Sequence, residues 1–204
     1  MGFQGRLRLH DKVLRDDLPP MFEALGIEFR CQGYETTMPV GDMTITQLED
    51  STAQSIRFRP DGVAIVRNRV YYAELKTVLE TQQSPNYDFE MSPWEKAMAS
   101  HKQGELVAYI FWPDQRVCWV NNARPDRIVV PNWRHNEQDY LRIRHQYTHM
   151  CPVYHSETKG GSGTIFGIIH WDRIRAMQTF DQFWKEVQGT WQGPKQLQML
   201  LKSP

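Results

Sequence analysis

Arg59-Pro60-Asp61-Gly62-Val63-Ala64-Ile65-Val66-Arg67-Asn68-Arg69-Val70-Tyr71-Tyr72-Ala73-Glu74-Leu75-Lys76-Thr77 is the stretch whose reading decides the fold. Two runs of β-branched, aromatic and small apolar residues flank a short polar turn, which is the pattern of a β-hairpin. Asp61 stands at one end of the hairpin, and Glu74 and Lys76 at the other. Charges set into strands of Val, Ile, Ala and Tyr are costly to bury unless they are paired or bind a cation. A divalent metal is one reason for their presence.

Side chains alternate faces along a strand, so Glu74 and Lys76 project from one face and Leu75 from the other. The turn decides whether Asp61 joins them. A two-residue loop at Arg67-Asn68 puts Asp61 opposite Glu74, and one at Asn68-Arg69 puts it opposite Lys76; the remaining partner is then a diagonal neighbour about 7 Å away. A three-residue loop would place Asp61 opposite Leu75, on the wrong face unless a bulge at Pro60-Asp61 corrects it.

Pro60-Asp61 followed by Glu74-Leu75-Lys76 resembles the PD-(D/E)XK nuclease superfamily, which includes type II restriction enzymes and archaeal-type Holliday junction resolvases. The matching segment covers about a tenth of the chain. The resemblance implies a restriction-endonuclease-like α/β fold, a mixed central β-sheet flanked by α-helices. It also implies Mg²⁺-dependent hydrolysis of phosphodiester bonds in DNA, with Asp61, Glu74 and Lys76 catalytic. Asp61 and Glu74 would hold the Mg²⁺, for which Mn²⁺ can substitute, and Lys76 would position a water and offset charge on the phosphate. The competing reading is an ordinary hairpin with a surface ion pair between Glu74 and Lys76.

Superfamily members usually add an acid from the first helix. Here the segment from His10 to Glu23 offers several acids and a proline pair, Pro19-Pro20. Asp16 or Glu23 is the candidate third ligand, against solvated helix charge for either, while Asp17 suits a helix N-cap. Proline is tolerated in a first turn but not inside a helix, so Pro19-Pro20 kinks a helix or restarts one.

The 204 residues, 40% of them hydrophobic, suffice for one domain with a sizeable core, and no internal repeat or linker divides them. With three cysteines in no paired spacing and no apolar run at the N-terminus, the expected setting is reducing and cytoplasmic, and no run approaches the roughly 20 apolar residues of a membrane helix. Met1-Gly2 opens like a myristoylation signal, but Arg6 stands where that motif needs Ser or Thr. The formal net charge is zero, which excludes a protein that coats nucleic acid through a strong overall positive field. Local patches must then grip DNA. Arg57, Arg59, Arg67 and Arg69 flank the proposed site, Lys159 opens a glycine-rich loop, and Arg124, Arg127, Arg134, Arg142 and Arg144 enrich a later stretch. Arginines at surface turns that pair with nearby acids are the alternative.

Downstream, Ser92-Pro93-Trp94-Glu95 reads as a helix start and the helix runs to about Lys102. Strands follow over 105–112, 116–120, 127–130 and 165–170, and Thr81 to Tyr87 reads as a loop. Tyr87, Glu90 and Lys96 are within reach of the site on this reading. His145, His149, Cys151 and His155 lack the paired spacing of a structural zinc site. Met177, Phe180, Trp184, Val187 and Trp191 recur at helical spacing, so one helix over about 171–191 serves core packing or a homodimer interface. The expected activity is a DNA endonuclease for branched or structured DNA, with a sequence-specific restriction or repair nuclease, or a non-catalytic DNA-binding protein of the same fold, as alternatives.

Overall fold

The computed structural model describes residues 3–32, 39–40, 43–44, 60–78, 86–131, 137–156 and 165–189. Its centre is the hairpin of β4 (Gly62–Val66) and β5 (Arg69–Thr77). The turn is the two-residue loop Arg67-Asn68, and both residues have positive φ, 49° and 64°. That pair of dihedrals is a type I′ turn, whose twist matches that of the flanking strands. Val66 therefore pairs with Arg69 and Gly62 with Ala73, and one step further Asp61 falls opposite Glu74.

β1 (Glu28–Cys31) pairs antiparallel with β4. On the other side β7 (Val107–Trp112) pairs parallel with β5, placing Tyr109 beside Glu74. β8 (Arg116–Trp119) returns antiparallel to β7, and β12 (Gln178–Thr179) adds to its edge. The result is a six-stranded mixed sheet in the order β1-β4-β5-β7-β8-β12. A second sheet has the order β10-β9-β11-β6, built from β6 (Tyr87–Glu90), β9 (Arg127–Pro131), β10 (Val153–Ser156) and β11 (Phe166–Ile169). Residues β2 (Pro39–Val40) and β3 (Met43–Thr44) form a separate short ladder.

The period-2 alternation of the strands sorts their side chains onto two cores. On one face Ala73, Leu75, Ala108 and Ile110 pack with Leu14, Leu18, Phe22, Phe180, Phe183 and Trp184. On the other, Val107, Tyr109 and Phe111 pack with Tyr87, Phe89, Trp94, Ile128 and Ile169 from the second sheet and the helix Met91–Lys102. Phe22 anchors the first core: its ring stacks on Phe29 at 4.5 Å and meets Phe180 and Trp184 edge-on at 4.8 and 4.9 Å. Each such buried ring contributes about 1.5–3 kcal/mol.

The first helix, α1 (Phe3–Lys12), widens into a π turn over Val13–Asp17 before α2 (Leu18–Ala24). Pro19 and Pro20 cause this, because they offer no N–H to the carbonyls of Arg15 and Asp16. The Leu18 N–H bonds back to the Val13 carbonyl, five residues earlier. Asp17 occupies the N-cap position of α2 but makes no side-chain cap bond there; it lies 3.9 Å from Lys12 instead.

Three sequence expectations change. The helix expected from Ser92 starts at Met91, because β6 runs directly into it with Glu90 extended at the N-cap and the Met91 N–H bonded to the Ile165 carbonyl. Tyr87 begins a strand. The single C-terminal helix is two helices, Trp171–Arg175 and Phe180–Val187, separated by β12. Thr179 ends one run and starts the next: its hydroxyl accepts from the Gln182 N–H, and the Gln182 side chain accepts from the Thr179 N–H. Phe180, Phe183 and Trp184 are buried within the chain itself, so this apolar face serves the core; Trp191 lies outside the described residues. No helix among the described residues is long and apolar enough to cross a membrane.

Candidate active site

Four charged or titratable side chains meet where β4 begins and β5 ends. Asp61 lies just before β4, where its own carbonyl accepts from the Gln32 N–H. Its carboxylate turns across the hairpin and accepts a hydrogen bond from the Leu75 N–H at 2.7 Å. Glu74 and Lys76, on one face of β5, form an ion pair at 2.8 Å between Nζ and Oε1. His10 comes from α1, with Nε2 3.3 Å from Asp61 Oδ2. The four side chains are only 15–26% exposed, so their charges interact through little water.

The electrostatics follow from two carboxylates sharing a sheltered site. Burial raises the Asp61 pKa, but His10, Lys76 and the Leu75 amide outweigh it and hold Asp61 below its ordinary value. Burial and the neighbouring Asp61 raise Glu74 despite its lysine. Lys76 is pushed well above the usual lysine value: burial opposes its charge, and Glu74, Tyr109 and Asp61 more than compensate. Burial would discharge His10, yet Asp61 beside it keeps the proton and raises the pKa.

Gly62 makes room for this arrangement. A Cβ there would stand 2.3 Å from the Phe29 ring, so only glycine lets that ring lie over the strand immediately after Asp61. Phe29 stacks on Phe22, and this links α2 to the start of β4.

Of the expected site residues, Asp61, Glu74 and Lys76 are brought together. Asp16 and Glu23 are solvent-exposed, and the residue of the first helical segment that touches Asp61 is His10. His10 is the functional candidate that sequence reasoning missed. It heads the segment from His10 to Glu23 whose acids the resemblance points to, and it supplies an imidazole where that resemblance implies a carboxylate.

Arg67 and Arg69 sit at the turn end of the hairpin, five strand residues or about 16 Å from Asp61. A Cβ on Gly189 would lie 3.3 Å from Arg67 Nη1, so this guanidinium rests by the C-terminal end of the Phe180–Val187 helix, where the dipole favours a cation. Arg57, Arg59 and Lys159 lie outside the described residues. Tyr87 is fully buried and donates to Asp114 at 2.9 Å, so it takes no part in the site; Glu90 and Lys96 are exposed. Arg124, Arg127, Arg142 and Arg144 are exposed around the second sheet, and Arg134 is outside the described residues.

The donor set suits a divalent cation. Asp61 and Glu74 supply hard carboxylate oxygens that fit Mg²⁺, and the His10 imidazole adds a nitrogen that Mn²⁺ accepts. Among the described residues no three such groups already stand together in ligating geometry. Glu74 is turned to Lys76 and Asp61 to Leu75 and His10, so each acid is satisfied from within the chain. Comparison with protein-family models, with curated proteins and with solved structures finds no match to this chain.

Proposed function

We propose that the protein is a metal-dependent DNA endonuclease of the restriction-endonuclease-like type, acting on branched or structured DNA. The observation that carries the reading is the placement of Asp61 opposite Glu74 across the hairpin, with Lys76 2.8 Å from Glu74 on the same strand face. Two sheltered acids and one lysine at a strand end suit metal-assisted hydrolysis of a phosphodiester, the acids toward the metal and the lysine toward the phosphate. The order of elements in the larger sheet supports the same reading: after the helical segment come the antiparallel strands β1, β4 and β5, interrupted by the separate β2–β3 ladder, and after β6 and the helix Met91–Lys102 comes β7, parallel to β5.

Asp61 and Glu74 would hold Mg²⁺ or Mn²⁺, and His10 would add a helix-borne third donor on giving up the proton that Asp61 favours there. Such an ion lowers the pKa of a water and stabilises charge growing on phosphate. Asp61 is oriented for this by the Leu75 amide, which donates to its carboxylate at 2.7 Å. Lys76 keeps its proton, so it serves as a fixed positive charge toward the phosphate oxygens and as a donor that orients the attacking water.

Incubation with labelled four-way junction, linear duplex and single-stranded DNA tests this, with Mg²⁺ or EDTA and with Asp61→Ala and Lys76→Ala alongside. The expected result is metal-dependent cutting, strongest on the junction and lost in both variants. Discrete cuts on linear duplex would point to a restriction or repair nuclease instead. The Lys76–Glu74 pair also favours a second reading, a DNA-binding protein of this fold without turnover. Mg²⁺ binding by folded protein that cuts none of the three substrates would favour that alternative.

A further inference from the structure

Lys76 Nζ stands over the ring of Tyr109, 5.4 Å from its centroid. Tyr109 lies on β7 in register with Glu74, so its ring flanks both members of the ion pair. Phe111 is the register partner of Lys76, yet the lysine side chain leans along the strand to the Tyr109 ring. The ring is 1% exposed and is wedged between Phe89 and Phe111, at 6.1 and 6.4 Å between centroids, so it cannot turn aside.

We propose that Tyr109 is a positioning residue, whose ring face holds the Lys76 ammonium at the site when Glu74 turns to a divalent cation. The proposal rests on the endonuclease reading. Glu74 satisfies Lys76 at 2.8 Å. A carboxylate shared with a dication attracts an ammonium less, and repulsion from the dication would drive Lys76 away. A side chain 15% exposed has little water to move into. A ring face within about 6 Å attracts a desolvated cation without adding a charge that competes for the metal. A carboxylate in the place of Tyr109 would hold Lys76 as well, but it would bind the metal itself.

The test replaces Tyr109 with phenylalanine (Tyr109→Phe) and with progressively fluorinated phenylalanines, which keep the shape and drain the negative face of the ring. Tyr109→Phe is expected to keep kcat on the best DNA substrate within about threefold, since the ring remains. Fluorination should lower kcat stepwise, by about thirtyfold for the fully fluorinated ring, with KM and melting temperature held. In parallel, the ¹³Cε methylene signal of Lys76 should move further upfield on Mg²⁺ addition in wild type, and less with each fluorine. A kcat and a Lys76 signal both indifferent to fluorination, in protein that cuts DNA, would overturn the proposal and leave the endonuclease reading intact. An upfield Lys76 signal in wild type that cuts no DNA would instead overturn the endonuclease reading, and with it this role for Tyr109.

Discussion

Asp61 Oδ2 accepts a hydrogen bond at 2.7 Å from the N–H of Leu75, the amide that lies between the two charged residues of β5. The contact joins the two ends of the hairpin at the point where their acids face one another. It also explains why an aspartate, with its short side chain, serves at this position. The carboxylate reaches the neighbouring backbone, beside the ion pair of Glu74 and Lys76.

Replacing Asp61 separates its charge from its hydrogen bond. Asp61→Asn keeps an acceptor for the Leu75 N–H, whereas Asp61→Ala leaves that amide unpaired. The alanine variant is expected to lose about 1–3 kcal/mol of stability, and the asparagine variant less. Both should lose Mg²⁺-dependent cutting. Urea denaturation and the cleavage assay report the two effects separately, and an Asp61→Asn protein that cuts at the wild-type rate would remove Asp61 from the metal site.

Lys76→Met takes away the cation paired with Glu74. Breaking a fully buried pair costs roughly 3–5 kcal/mol, and the residual exposure of these side chains reduces that to about 1–3 kcal/mol. Mg²⁺ at about a hundred times its Kd adds about 2.7 kcal/mol to any protein that binds it only when folded. The gain should be larger in Lys76→Met than in wild type, because Glu74 is no longer shared with an ammonium. Thermal melts with and without Mg²⁺ measure it. A melting temperature of the variant that Mg²⁺ leaves unmoved would count against Asp61 and Glu74 as metal holders.

The His10–Asp61 contact makes the stability of the metal-free protein depend on pH. Burial opposes the charge on His10, but Asp61 outweighs it, so the folded pKa lies above the ordinary 6.5. A raised folded value means that proton binding favours the folded state. The contribution is fully present below about pH 6.5 and is lost as pH rises through the folded value. Wild type should therefore lose stability relative to His10→Asn as pH rises across that window. Urea midpoints across the pH series are the measurement, and parallel curves for the two proteins would show that the contact carries no linkage.

Asn68→Gly should stabilise the hairpin without touching the chemistry. Asn68 holds φ at 64° as the second residue of the type I′ turn, where glycine is the preferred occupant. The expected gain is a few tenths of a kcal/mol to about 1 kcal/mol, offset in part by the greater freedom of glycine in the unfolded chain. Cutting should be unchanged, because the turn is about 16 Å from Asp61. A fall in activity would reveal that the turn contacts substrate.

Some of this architecture is a matter of local sequence. The alternation along Val70 to Thr77 places Glu74 and Lys76 on one face whatever packs around them, because successive strand residues point to opposite sides. The apolar run of β7 and its hairpin with β8 are legible for the same reason. Other features are not local. Arg67-Asn68 and Asn68-Arg69 are both acceptable turns by composition, and both keep the same side chains on the same faces; the pairing of β4 with β5 takes the first, and so puts Asp61 opposite Glu74. The break at Thr179 hides inside an apolar spacing that carries on through it, because Phe180 and Trp184 keep the helical period while β12 pairs with β8.

By itself the sequence determined which side chains of the hairpin share a face, since strand geometry repeats every two residues and needs no partner. Only the tertiary structure decided what joins them. Which residue of the first helical segment meets Asp61 depends on how Leu14, Leu18 and Phe22 dock the segment onto the core and on the phase shift of the π turn that precedes Pro19 and Pro20. Those contacts deliver His10 and leave Asp16 and Glu23 in solvent.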